Sequence, residues 1–419
     1  MLLSRKTVVE VTDDQANMIG HMCYAAYKLW NVCNYERNHY RELNLPVKYP
    51  DMYYQKKAHK DDLWFKQLPS QTAQEVCKLL DKSWKSFYTL CKTQGIENPH
   101  PPKYKHDNIA ITYMQNGLAH NTGDDCVRFT LSKDLKKYMF ATYHIDMDFL
   151  YLKNELFKSI DTIKQIKIYP PENNKCEIII VYEMPDIAVL PDNGKYLSID
   201  LGLHNLFTCF NSDTGETFIV GRRYLSLCRY FDKEIARVQS QWAKAQAKAG
   251  VKYPKMSKHT QRLYEKKRNA IHDYLHKVTH WIVTYCKDND IHTVVIGDIT
   301  GIREDNDHGS VENQKMHSLP YAKIYTLLEY KLAQGGITLV KQQEAYSSQT
   351  SPLKESVCKE NAEKSNRVKR GLYKDGNYYW NADCVGAFNI LRLYFQATGI
   401  ATKMDPQYIA SPHVAKVAV

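Results

Sequence analysis

Along this 419-residue chain the spacing of apolar positions changes several times, and each change marks an element. "KTVVEVT" (6–12) alternates β-branched and polar residues and predicts a short strand. From Asp13 to about Tyr40 the period becomes helical, with Tyr27, Trp30, Asn31 and Asn34 in "AAYKLWNVCNYERN". "LPSQTAQEVCKLLDKSWKSFYTLC" (68–91) predicts a second helix, with Ser70 as its cap. Val76, Leu79, Leu80, Ser83 and Phe87 supply its buried stripe. The prolines of "NPHPPKYK" (98–105) end the helical section. Residues 106–190 read as short strands, "DCVRFTLS" and "IKQIKIYPPENNKCEIIIVYEMP" among them. They predict a small β-barrel that the first strand joins, with the helices of 13–97 inserted. "DIAVLPDNG" (186–194) is a linker and a domain boundary.

A different order follows. Strands at 196–202, 204–210 and 217–221 are joined by short turns, the second of them "NSDTGE" (211–216). Next comes a helical stretch over 226–287, interrupted near "AGVKYPKMS". A strand at 293–299, a polar loop, a helix at 320–334 and a strand at 337–342 follow. A loop-rich insert (345–378) and a helix from about Ala382 to Ala397 complete the series. Three antiparallel strands, a helix, then alternating strands and helices is the order of an RNase H-like α/β fold.

Composition adds a partner class. The formal charge is +11 and the pI about 8.9. Between Gln241 and Lys287 there are 11 Lys and Arg against only Glu265 and Asp273. A solvated helix face mixes both signs, so this one-sided segment predicts a phosphate-binding stripe carrying Arg262, Lys266, Lys267, Arg268, His276 and Lys277. The 11 cysteines are scattered and include no C-x-x-C pair, which argues against a zinc ribbon and a secreted disulfide framework. The start of the chain lacks a signal-peptide core, and no run approaches a membrane span. The expectation is a soluble protein of the cytoplasm.

Acids stand out against this background. Asp200 closes the apolar run of "KYLSIDLGLHNLFTCF" (195–210), and Asp383 opens the amphipathic helix of "NADCVGAFNILRLY". Taken singly, Asp200 reads as a turn acid and Asp383 as an N-terminal helix acid favoured by the macrodipole. In an RNase H-like strand order both become ligands of two divalent metals that align water on a phosphodiester. Mg²⁺ prefers carboxylate oxygens and water, with Mn²⁺ as a substitute. His272, His276 and His280 fall at i, i+4 and i+8, a spacing able to chelate a metal. No acid accompanies them in metal-binding order, so phosphate contact explains them better.

Six segments in order carry a resemblance: "SIDLGLHNLFT", "TVVIGDITGIR", "LEYKLAQGGI", "EAYSSQTSP", "NRVKRGLY" and "NADCVGAFNILR". Together they resemble the RuvC nuclease half of the TnpB family, transposon-encoded RNA-guided DNA nucleases related to miniature type V CRISPR effectors and to Fanzor. "LWNVCN", "LPSQTAQEV", "KSWKSFY" and "PPKYK" are similar to the family's helical recognition and wedge regions, so the likeness covers about 6–395. It implies 1–12 and 98–190 as a wedge-like barrel and 13–97 as a recognition insertion. It implies 191–344 and 379–400 as a RuvC-like domain, 345–378 as a target-binding insertion, and 401–419 as a tail.

Two departures matter. Where most relatives carry a catalytic Glu, this chain has Gly297. Asp298 is adjacent but points to the opposite face of its strand, so it is a weak substitute. Glu344 ends the neighbouring strand, about 4.8 Å away, and a branch of the family resembles this arrangement. The resemblance thus implies Asp200, Glu344 and Asp383 as catalytic metal ligands. Second, the insert has one cysteine, Cys358, with Cys384 beyond it, too few for zinc. Arg367, Lys369 and Arg370 become phosphate contacts there. In the first half, Tyr53, Tyr54, Gln55, Gln71, Gln74 and Lys78 are candidates for reading or stacking on bases, and Lys103 and Lys105 for contacting nucleic acid.

The implied activity is guided cleavage of double-stranded DNA next to a short motif, with a guide RNA as partner, in a bacterial or archaeal host, by a monomer or homodimer. Two alternatives stay open: a guided DNA-binding repressor with a dead RuvC site, and an RNase H-fold nuclease or transposase that needs no RNA.

Overall fold

A computed structural model describes residues 1–93, 96–300, 319–369, 371–400 and 404–417. The polar loop after the 293–299 strand and Arg370 lie outside the described residues. The chain divides into two compact units, Met1–Asp186 and Ile187–Val419. No described helix is long and apolar enough to cross a membrane.

The first unit opens with β1 (Leu2–Glu10), followed by α1 (Asp13–Asn38), α2 (Met52–Ala58), α3 (Leu63–Lys66) and α4 (Ser70–Thr93). β2 (Ile111–Met114), β3 (Leu118–Ala119) and β4 (Cys126–Thr130) precede α5 (Lys133–Tyr143). β5 (Phe149–Lys153), β6 (Thr162–Ile168) and β7 (Lys175–Glu183) close the unit. α1 begins with a reciprocal cap, in which Gln15 N donates to Thr12 Oγ1 and Thr12 N donates to Gln15 Oε1. The strands form a four-stranded sheet ordered β1-β7-β6-β2 and a three-stranded sheet β3-β4-β5. Among the described residues these are two sheets rather than one closed ring. The helices of 13–93 do lie between β1 and the strands it shares a sheet with.

Three local expectations change here. Residues 133–143, read within a run of strands, form α5, because Ser132 Oγ accepts from Leu135 N and Leu135 and Met139 bury one face. On α4 the buried stripe runs through Ala73, Val76, Cys77, Leu80 and Trp84, which leaves Leu79 45% exposed. Ser70 is the first helical residue, and its hydroxyl accepts from Gln74 Nε2.

The second unit contains β8 (Tyr196–Leu201), β9 (Phe207–Asn211), β10 (Thr217–Val220), α6 (Tyr224–Lys248) and α7 (Lys258–Asp288). β11 (Thr293–Asp298), α8 (Tyr321–Ala333) and β12 (Thr338–Gln343) follow. The hairpin β13 (Leu372–Asp375) and β14 (Tyr378–Asn381) leads into α9 (Ala382–Thr398), and β15 (His413–Val414) comes last. One six-stranded sheet has the order β12-β11-β8-β9-β10-β15. β8, β9 and β10 are antiparallel neighbours, while β11 runs parallel to β8 and β12 parallel to β11. This is the RNase H-like order read from the sequence.

Helices cover both faces. Leu197, Ile199, Val294 and Ile296 pack with Tyr274, Val278 and Ile282 of α7 and Ile324 and Leu328 of α8. The alternate residues Tyr196 and Val295 pack with Val385, Phe388, Ile390 and Leu391 of α9. Burial on both faces explains the near-continuous apolar runs in β8 and β11. Each of these side chains contributes about 1.5–3 kcal/mol by leaving water. The tail, which carried no readable pattern, adds β15 to the sheet edge, pairing His413 with Phe218 and Val414 with Ile219. Ile409 just before it is fully buried.

Candidate active site

Strand alternation decides which acids meet. Tyr196 and Val295 face α9, so Asp200 on β8 and residue 297 on β11 face it too, and Asp298 does not. Asp298 Oδ1 instead accepts from the backbone N–H of Thr300 at 2.9 Å and from its hydroxyl. These hydrogen bonds hold the Asp298 carboxyl below its ordinary range.

Glu344 follows β12 directly and turns toward the same face. A Cβ placed on Gly297 would collide with Glu344 Oε2 and stand 3.0 Å from Ile390 Cδ1. The missing side chain at 297 is therefore the space that the Glu344 carboxylate uses. Among the described residues, Glu344 Oε2 is buried there with no hydrogen-bond partner. Burial, then the charge of Asp298, push the Glu344 carboxyl up.

α9 brings the third acid. Its N-cap Asn381 accepts from Asp383 N and Cys384 N at 3.0 and 3.2 Å, fixing the first turn. Three residues after Asp383, Gly386 faces Asp200, and a Cβ there would stand 2.8 Å from Asp200 Oδ2. Only a glycine lets the helix close on that carboxylate. Burial, then Glu344 and Asp383, raise the Asp200 carboxyl well above its usual range. The same helix anchors the loop after Glu344, because the buried Asn389 Nδ2 donates to Ser347 O and Thr350 O, both at 2.7 Å.

Asp383 is engaged by its neighbours. Its Oδ2 accepts from Asn205 Nδ2 at 2.8 Å, and its Oδ1 pairs with Arg367 at 3.3 Å. Among the described residues no three His, Cys, Asp or Glu side chains stand ready as a group to hold one metal ion. The donor chemistry nonetheless suits a hard cation: carboxylate oxygens only, one of them buried and unpartnered, and two acids whose charge is penalised.

The other sequence candidates are spread over both units. On α7, Arg262, Lys266 and Arg268 are exposed, whereas Lys267 pairs with Asp232 at 2.5 Å and Lys277 with Asp273 at 2.8 Å. Burial, Lys331 and His272 bring His276 down to about 4, so it is a neutral ring rather than a cationic phosphate contact. Arg367 and Lys369 are exposed. In the first unit, Tyr53 is 63% exposed with Lys56 Nζ 4.7 Å above its ring, and Tyr54 is half-buried. Gln71 Oε1 is buried without a partner among the described residues, Gln74 binds Ser70, and Lys78 pairs with Glu75. Lys103 and Lys105 are exposed, the latter 4.7 Å from the Trp30 ring centre. Gln55 is fully buried, bonded to Arg37, Glu36 and Cys33 O, so it reads no bases.

Some site residues escaped the sequence reading. Arg222, Arg229 and Lys233 line a groove of about 810 Å³ that reaches Asn205 and Asp383. Arg229 and Lys233, four residues apart in "GRRYLSLCRYFDKE", share one face of α6, and Arg222 stands two residues before the helix, a signal that lies just before the richly basic segment.

The OrfB_IS605 family model, described as "Probable transposase", matches residues 179–303, and the Cas12f1-like TNB domain model matches 321–390. A TnpB-like protein of Acidianus two-tailed virus is 23% identical over 407 residues, covering 90% of this chain and 83% of its own. Among solved structures, a Cas12f1–sgRNA–target DNA complex aligns over 93% of this chain and 98% of its own, at 14% identity and a TM-score of 0.37. CasPhi-2 bound to crRNA and phosphorothioate-DNA aligns over 97% and 93%, at 10% identity and a TM-score of 0.45.

Proposed function

We propose that this chain, a TnpB-like relative of the miniature type V effectors, is an RNA-guided DNA endonuclease that hydrolyses phosphodiesters with Asp200, Glu344 and Asp383. The observation that carries the reading is the fit of Glu344 into the space above Gly297, which sets its unpartnered oxygen on the α9 face of the sheet, the face Asp200 shares. The acid stands just past the neighbouring strand, and the missing side chain at Gly297 leaves it room. A buried carboxylate without a partner costs stability, so its place there calls for a ligand.

The three carboxylates would hold two Mg²⁺ ions, or Mn²⁺, which activate water and offset charge on the leaving oxygen. The chain's own part is geometric. α9 seats Asp383 and closes on Asp200 through Gly386, and Asn389 fixes the loop that follows Glu344. Asn205 orients Asp383 through Oδ2. Arg367, free to leave Asp383 for a phosphate, provides a positive contact for the scissile strand. Guide pairing supplies sequence specificity, and the first unit reads a short duplex motif beside the target.

The test is to express the chain with its flanking DNA, sequence the co-purifying RNA, and assay cleavage of matched duplex in Mg²⁺. Discrete RNA and cutting lost in Glu344→Ala but kept in Asp298→Ala support the reading. Cutting that survives Glu344→Ala and fails in Asp298→Ala reverses the ligand assignment. A guided repressor is the second reading, favoured by the ion pair that occupies Asp383. It predicts tight guided binding, no cutting and no effect of Glu344→Ala. Cutting after all RNA is removed would instead indicate an unguided nuclease.

A further inference from the structure

We infer that the Tyr325 hydroxyl is a positioning group for the carboxylate centre: it holds the end of β11 apart from β8, which leaves Glu344 its room beside Asp200. The inference deepens the proposed function and rests on it for the metal that the acids hold.

The sheet opens where the acids stand. β11 pairs with β8 from Thr293 to Ile296, opposite Tyr196 to Ile199, and the pairing stops there. The next register would join Gly297 to Asp200. β8 nevertheless runs on to Leu201 against β9, and β11 runs on to Asp298 against β12. Each strand keeps its outer partner, and the two part from each other at the level of Asp200 and Gly297. The Glu344 carboxylate lies over Gly297, on one lip of that opening.

Parted strands leave peptide groups to satisfy. Tyr325 of α8, buried in the core, donates its hydroxyl to Gly297 O at 2.6 Å and accepts from Ile299 N at 3.0 Å. One side chain therefore takes both peptide groups that flank Asp298. Left unpaired and buried, each would carry a penalty, and the remedy at hand is for β11 to close on β8. That closure would draw Gly297 and the carboxylate over it toward Asp200, whose carboxyl burial and then Glu344 already raise.

β11 also bends at this point. Val294 and Ile296 face α7 and α8, and strict alternation would send Ile299 to the opposite side. Ile299 instead joins the same cluster, with Ile296 and Tyr325. The bend begins at Asp298, whose carboxylate accepts from Thr300 N. Tyr325 reaches it from the face opposite α9, so it holds the lip without entering the space that the acids use. A phenylalanine would fill the same apolar seat; only the hydroxyl spans the two peptide groups.

The test compares Tyr325→Phe with Tyr285→Phe in the full chain, freed of RNA and titrated with Mn²⁺ in a calorimeter. Tyr285 controls for the loss of a hydroxyl that makes two hydrogen bonds. Its OH donates to Glu216 Oε2 at 2.6 Å and accepts from Asn211 Nδ2 at 3.0 Å. Asn211 pairs with Leu197, well before Asp200 on β8. Both variants lower the melting temperature. Tyr325→Phe alone weakens Mn²⁺ binding, by about tenfold, as removal of a group that orients a metal ligand does. Hydrogen exchange gives a readout free of metal: the Ile299 amide is protected in the wild type and exchanges faster in Tyr325→Phe. In guided cutting, Tyr325→Phe lowers kcat about tenfold with KM for the target unchanged, and excess Mn²⁺ recovers part of the rate.

Equal Mn²⁺ affinity in the wild type and Tyr325→Phe overturns the inference, as does an equal loss in both variants. An unprotected Ile299 amide in the wild type overturns it too. A wild type that binds no Mn²⁺ overturns the inference together with the metal-dependent function. Binding that follows the expected order, in a chain that never cuts, upholds the inference and removes the nuclease reading. Binding and cutting by the wild type that Tyr325→Phe matches remove the inference alone.

Discussion

The carboxylate of Glu344 occupies the volume that Gly297, on the adjacent strand, leaves empty. Each residue explains the other: a glycine in a buried strand, where it packs poorly, and a glutamate buried without a partner.

The first prediction follows from that pairing. Gly297→Ala puts a methyl group against Glu344 Oε2 and Ile390. Overpacking of this kind costs about 1–3 kcal/mol and displaces the carboxylate. Cleavage is expected to fall at least about tenfold, with a lower urea midpoint. The exchange Gly297→Glu with Glu344→Ala returns an acid to the site and recovers part of the cutting. A Gly297→Ala variant that is as stable and active as the wild type would break the link between the two positions.

Asp200 gives a stability test that does not depend on cutting. Its carboxyl is raised in the folded chain, so the unfolded chain loses its proton first as pH rises. The folded state is therefore penalised above the ordinary Asp range, including at pH 7. Asp200→Asn removes the penalty, with an expected gain of about 1 kcal/mol, or roughly 2–4 °C in Tm. Mg²⁺ is expected to raise the wild-type Tm by binding the native state. The same titration should leave Asp200→Asn and Glu344→Gln unmoved. A metal-induced rise of equal size in all three proteins would place the ion elsewhere.

Arg367 and a cation compete for Asp383 Oδ1. The pair is partly exposed, worth about 0.5 kcal/mol, so Arg367→Ala should tighten Mn²⁺ binding by about twofold in calorimetry. Guided cleavage should fall in the same variant, since its phosphate contact is lost. Weaker Mn²⁺ binding in Arg367→Ala would show that the arginine supports the ion site instead of opposing it.

In the first unit, burial works against a charged His59, but the hydrogen bonds it donates to Glu36 and Asp62 prevail and hold it up at about 9. A raised histidine contributes fully below its unfolded value near 6.5, and the contribution is lost as pH rises through 9. Between pH 6.5 and 9 the wild type should lose on the order of 2 kcal/mol more stability than His59→Gln, compared by urea midpoints of the 1–186 unit's transition. Parallel profiles for the two proteins would refute it.

Sequence periodicity was most informative where the chain buries both faces. β8 and β11 are apolar runs that declare themselves, and their order with β9, β10 and β12 specified the second unit's sheet. The face on which Asp298 lies followed from alternation alone. The space above Gly297 did not, because it depends on Ile390 of α9, about ninety residues away. Gly386 was silent for the same reason: its role is an approach to Asp200, not a local conformation. α5 was hidden by a β-rich context, although Ser132 is an ordinary cap. Gln55 looked like a surface amide until Arg37 and Glu36 from α1 enclosed it. β15 is two residues long and pairs with a strand nearly two hundred positions earlier, which no local pattern announces.

Helix α9 carries Asp383, closes on Asp200 through Gly386, and meets the space above Gly297 through Ile390. Through Asn389 it also holds the loop beyond Glu344. The acids are thus gauged from one rod rather than from the strands that bear them. A lineage can shift an acid from one strand to the next with few changes, provided the rod keeps its seat. What heredity must preserve in such a centre is a datum line, and the address of each carboxylate in the chain becomes negotiable.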